Sequence, residues 1–136
     1  MSAFAARAAA LVCLVPVSLW AAQGADDAKY EDVLQKLLGT LGAITKTLEG
    51  VTDADTAKAA HPELRKHAEE FRTTRKQSED VAPPSPEARE RVSKKYQPEF
   101  EKARKDLVAQ VARVQRVPGG TAALQEIRSV FDRKAQ

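Results

Sequence analysis

The 136-residue chain holds one cysteine, one methionine, one tryptophan and two histidines. A lone cysteine, Cys13, excludes an intrachain disulfide, a C-x-x-C-H haem attachment and a cysteine-based zinc site. Aromatic residues are only 5% of the chain, which leaves no series of rings on which nucleic-acid bases would stack. No apolar run reaches the ~20 residues that a membrane-spanning helix needs. No stretch alternates apolar and polar residues as a half-buried strand does. What is there is alanine, leucine and charge: 22 basic and 19 acidic side chains, for a formal net charge of +3. So even a balance implies no partner by itself; only the placement of the charges does.

The first residues, MSAFAARAAALVCLVPVSLWAAQGADD, carry one early charge, Arg7, and then an apolar stretch from Ala8 to Ala22 broken by Pro16 and Ser18. This is the pattern of a secretory signal, with Ala22 and Gly24 as the small residues before a cleavage point after Gly24. Val12 directly before Cys13 is too large for a lipidation site. Removal of residues 1–24 takes Met1, Cys13 and Trp20 with it and leaves residues 25–136, a sulfur-free domain placed in the periplasm or secreted. Such a domain is held by its core alone.

From Tyr30 the apolar side chains follow a strict heptad: Tyr30, Leu34, Leu37, Leu41, Ile44, Leu48 and Val51. Asp26 or Asp27 is positioned to cap this first helix, and Gly50 with Thr52-Asp53 ends it. Gly39 and Gly42 lie inside, either for close approach of another backbone or as a weak point. The same seam is a candidate for self-association. A second helix is expected over 54–80, capped by Thr52 or Asp53, kinked or split at Pro62, with a thin face of Ala57, Ala60, Leu64, Ala68 and Phe71. Charge pairs four residues apart, such as Arg65 with Glu69 and Lys66 with Glu70, are expected along its solvent side. APPSPEA at 82–88 reads as a turn, with Ser85 as N-cap and Pro86 at the first helical position. The third helix carries apolar residues at 92, 96, 100, 103, 107, 111 and 114, and Pro98 should bend it. Pro118-Gly119-Gly120 stops it, and Thr121 caps a short last helix with Leu124, Ile127, Val130 and Phe131 inward. These elements predict an all-α fold: an antiparallel three-helix bundle, kinked at Pro62 and Pro98, with a short C-terminal helix.

Chemistry-bearing residues are sparse. Glu63, His67 and Glu70 are spaced by four and three on one helical face, as a weak metal site would be, with a wet surface pairing as the rival reading. His61 lies on another face. Asp53 and Asp55 lack the further ligands of a calcium loop. Ser78, Ser85, Ser93 and Ser129 sit in no G-x-S-x-G setting, and no glycine-rich phosphate loop follows a strand. No catalytic residue and no cofactor is therefore expected. On the third helix Arg91, Lys102 and Arg113 recur every eleven residues, as do Lys94, Lys105 and Arg116, with Lys95 beside them. With Val92 at zero and about 100° per residue, these seven span about 200° to 300°, opposite an apolar stripe near 50°. They form a basic strip suited to anionic lipid or an anionic envelope polymer, or one that only solvates the helix.

The leucine-rich first helix, LEGVTDADTAKAAHPEL, PPSPEARERVSKKYQPEFEKA and VARVQRVPGG, in this order behind a signal peptide, resemble small exported uncharacterised helical proteins of planctomycete-type bacteria. The D-A-D-T-A-K-A-A and K-Y-x-P-E-x-x-K-A segments carry the resemblance most. It implies an exported helical protein and carries over no activity, cofactor or site residue.

Overall fold

The structure, a computed structural model, describes residues 17–131. Five helices follow one another: α1 (Val17–Glu49), α2 (Ala54–Asp80), α3 (Pro86–Val114), α4 (Gly120–Gln125) and α5 (Arg128–Phe131). The described residues contain no strand. Of the expected leader, residues 1–16 lie outside the described residues, and residues 17–24 form the first turns of α1.

Helix α1 does not start at the aspartates: it passes through them. The segment before them, rich in alanine, has the propensity to carry the helix on. Asp27 serves another helix instead. Its Oδ1 accepts the Ser85 N–H at 3.2 Å and its Oδ2 accepts the Ser85 hydroxyl at 3.1 Å. Three threonines turn their hydroxyls back onto carbonyls one turn earlier: Thr40 to Lys36, Thr45 to Leu41 and Thr47 to Ala43, at 2.9, 2.9 and 3.0 Å. Thr40 and Thr45 are thereby buried without an unsatisfied hydroxyl.

Helix α2 opens on a capping box: Asp53 Oδ1 accepts the Thr56 N–H at 2.8 Å, and the Thr56 hydroxyl accepts the Asp53 N–H at 2.9 Å. The helix runs on through Pro62, so the expected split does not occur. The missing N–H frees only the Lys58 carbonyl, and both residues lie on the exposed side. Helix α3 begins as expected, with Ser85 Oγ accepting the Ala88 N–H at 3.2 Å and Pro86 in the first turn, and it too is unbroken, at Pro98. Beyond it Gly119 takes φ = 76°, a left-handed conformation that favours glycine. A Cβ on Gly120 would collide with the Val114 carbonyl. Gly119, not Thr121, is therefore the N-cap residue of α4, and Thr121 lies within that helix.

Three long helices packed in a bundle, with short C-terminal helices, make up the fold. α1 is the centre. α2 runs antiparallel to it on one flank, and α3 runs with it on the other, since Asp27, Glu31 and Leu48 meet Ser85, Lys95 and Arg113 in ascending order. α2 and α3 pack along α1 but do not approach each other closely. Only α4 bridges them, and α5 leans on α2. The core follows from this arrangement. Ile44, Leu48 and Val51 of α1 and its turn meet Ala57, Ala60, Leu64 and Ala68 of α2, Leu107 and Val114 of α3, and Ala123 and Ile127 of the C-terminal turns. Leu124 and Val130 pack against its edge. This cluster lies at one end of the bundle; toward the Tyr30 end a smaller set, Val33, Ala88, Val92 and Tyr96, is buried as well.

Candidate interaction surfaces

The heptad seam is covered unevenly. Ile44, Leu48 and Val51 are 0% exposed, sealed by the C-terminal turns. These three belong to the monomer core and are not free for self-association, which corrects that part of the expectation. Tyr30, Leu34, Leu37 and Leu41 of the same stripe stay half-buried. Leu41 packs against the edge of that core, whereas Tyr30, Leu34 and Leu37 lie toward the other end, where nothing among the described residues bridges the outer two helices. There Tyr30 and Leu34 line a shallow groove with Phe100 of α3, over a floor of the buried Val92 and Tyr96, and Arg89 stands at its edge.

A polar lock fixes the α1–α3 pair beside this groove. Glu31 Oε1 accepts from Lys95 Nζ at 2.8 Å and from the Tyr96 hydroxyl at 2.7 Å, and Gln35 Nε2 donates to that hydroxyl at 2.7 Å. Lys95 Nζ also stands 4.9 Å from the centre of the Tyr96 ring. The Lys95 ammonium, and after it the Tyr96 hydroxyl, hold the Glu31 carboxyl below its ordinary value of 4.5, and Glu31 in turn raises Lys95. Tyr96 is buried with its one polar atom satisfied.

The basic strip is narrower than its spacing suggests. Lys95 is occupied by Glu31. Arg113 turns inward: its Nη1 donates to the Val51 carbonyl at 2.7 Å, its Nη2 to the Leu48 carbonyl at 2.6 Å and its Nε to Gln110 Oε1 at 2.8 Å. It closes the C-terminal end of α1, whose last carbonyls lack helical partners. Both residues sit at about 300° on α3, on the flank from which a long side chain reaches α1, so the edge of the strip borders the helix interface. Arg91, Lys94, Lys102, Lys105 and Arg116 remain exposed, and of these Lys94 pairs with Glu90 at 2.8 Å.

The stretch at 52–70 is a helix start and a wet face. His67 Nδ1 lies 3.2 Å from Glu70 Oε2, and Glu63 is exposed. Among the described residues no three or more histidine, cysteine, aspartate or glutamate side chains gather as metal ligands, so Glu63, His67 and Glu70 do not assemble into the site their spacing allowed. The four-apart pairing of Arg65 with Glu69, and of Lys66 with Glu70, gives way to other partners. Glu69 pairs with Arg72 at 3.1 Å. Arg65 reaches Glu126, with Nε to Oε2 at 3.1 Å and Nη2 to Oε1 at 2.9 Å, while His61 Nδ1 lies 3.3 Å from the same Oε1. Arg65 first and His61 second lower the Glu126 carboxyl, and Thr56 N–H lowers Asp53 in the same direction. Glu126, not noticed in the sequence, is thus the tie between α2 and the C-terminal turns. Its only sequence signal is a lone carboxylate between Leu124 and Ile127.

The class defined here is an all-α three-helix bundle whose outer helices α2 and α3 are bridged by α4 at one end and, among the described residues, by nothing at the other. No helix among the described residues is long and apolar enough to cross a membrane. The chain matches no family model, no curated protein and no solved structure.

Proposed function

We propose that the chain is an exported, non-enzymatic helical scaffold that associates with a second copy of itself through the open end of its bundle. The observation that supports this is the uneven cover of one continuous seam. The leucines at 34, 37 and 41 belong to the same heptad as the buried Ile44, Leu48 and Val51, yet keep part of their surface in water. A heptad stripe fits a like stripe side by side, each side chain entering a gap between four of the other. Burial of the remaining apolar surface drives that pairing. Export to the periplasm or beyond rests on the N-terminal charge, apolar stretch and small residues at 22 and 24, and agrees with the resemblance to exported helical proteins.

Sedimentation equilibrium of the exported chain tests the reading. A concentration-dependent dimer is expected, and Leu34→Asp is expected to hold it monomeric with its helical circular dichroism intact. A monomer at every concentration, or a dimer indifferent to changes at Leu34 and Leu37, contradicts the proposal.

A further inference from the structure

Three basic side chains on the C-terminal half of α3, Lys102, Arg104 and Lys105, and Arg116 in the turn just after it, are exposed and form no ion pair among the described residues. Among them stands Val108, the one large hydrophobic residue that is exposed among the described residues, at 56%. Ala109 and Ala112 beside it are exposed as well. On the helical wheel with Val92 at zero, these three apolar residues span about 160° to 260°, while Arg104 at about 120° and Lys102 at about 280° stand on either side. Lys105 lies within the same arc, one turn before the apolar ridge, and Arg116 follows the ridge in the turn after α3. Asp106 and Glu99 point toward the α1 side, at about 320° to 340°. Glu101, at about 180°, is engaged by Gln97 at 3.3 Å and marks the N-terminal limit of the patch.

We propose that this face of α3 and the turn after it, from Lys102 to Arg116, docks flat on a membrane surface rich in anionic phospholipid. Cations around a short exposed apolar ridge match the two layers of such a surface, charged headgroups above and the start of the acyl region below. A free polyanion would use the four cations and leave Val108 without a role. The helical part of the patch, from Lys102 to Val114, is about 18 Å long on a rigid rod, so Lys102, Arg104 and Lys105 reach one plane together, and Arg116 adds a cation in the turn at its end. It lies on the opposite side of α3 from the groove of Val92, Tyr96 and Phe100, and the inference does not depend on self-association. Each cation near an anionic leaflet raises partitioning roughly fivefold, and each gain falls with salt.

The test uses the exported chain and sedimentation with vesicles of phosphatidylcholine alone or with about one third phosphatidylglycerol, in low and in high salt, with heparin retention in parallel. Binding is expected only to the phosphatidylglycerol vesicles and only in low salt. The quadruple variant K102Q/R104Q/K105Q/R116Q should lose on the order of several hundredfold in partitioning, given the per-cation effect. Val108→Ser, at an exposed position and so harmless to folding, should weaken vesicle binding severalfold and leave heparin retention unchanged. No binding at low salt, or binding unaffected by the quadruple variant with its helicity intact, overturns the proposal. Heparin retention without vesicle binding, or vesicle binding indifferent to Val108→Ser, overturns the lipid as the ligand.

Discussion

Arg113 shows how one side chain can belong to structure although its spacing reads as surface. It is half-buried and gives two charge-assisted hydrogen bonds to the last carbonyls of α1 and its turn. Arg113→Ala should cost about 1.5–3 kcal/mol, the range for hydrogen bonds to charged groups. Arg116→Ala, at a fully solvated position, should stay within about 0.5 kcal/mol. Urea denaturation of the two variants separates the roles. Glu126 makes a second residue-scale prediction. Its carboxyl, with those of Glu31 and Asp53, is held below its ordinary value in the folded chain. Groups of this kind stabilise fully above the unfolded value, 4.5 for the glutamates and 3.8 for the aspartate, and the contribution disappears as pH falls through the lowered folded values. The denaturation midpoint should therefore fall on acidification below about pH 4.5. Glu126→Gln should lower the midpoint at neutral pH and make its acid slope shallower.

Helices and their limits were largely legible in the sequence, because their signals are local. Asp53 before α2 and Ser85-Pro86 before α3 cap where side-chain chemistry says they should, and the apolar positions of α3 that reach the core follow its spacing. What was not legible depends on distant partners. Asp27 reads as the cap of its own helix, but its oxygens bind Ser85, 58 residues away, which no local pattern encodes. Arg65 reads as the partner of Glu69 and finds Glu126 instead. The basic strip could be read as a repeat, but the side of α3 that meets α1 could not, and Lys95 and Arg113 stand on that side. Two glycines of α1 sharpen the point. A Cβ at Gly39 or Gly42 would meet nothing within 4 Å, so neither serves a close approach. Gly39→Ala and Gly42→Ala should each stabilise the chain by up to about 1 kcal/mol in thermal melts. Gly120→Ala, forced against the Val114 carbonyl, should destabilise it.

Across the whole molecule, the largest buried cluster lies where α4 closes the gap between the outer helices. Leu64 and Leu48, both at 0% exposure, should each cost about 2–5 kcal/mol when cut to alanine. Leu37, half-buried and outside that cluster, should cost less. The scaffold proposed here needs that asymmetry, because a bundle sealed along its full length would have no seam left to offer a second copy. Residue-resolved amide hydrogen exchange, recorded at a concentration where the chain is monomeric, tests this most directly. Protection should be greatest at 44–48, 57–68 and 107–114 and should decline along all three helices toward 30–37, 74–80 and 88–96. Equal protection from end to end, or the slowest exchange at the Tyr30 end, would contradict a bundle whose outer helices are bridged at one end alone.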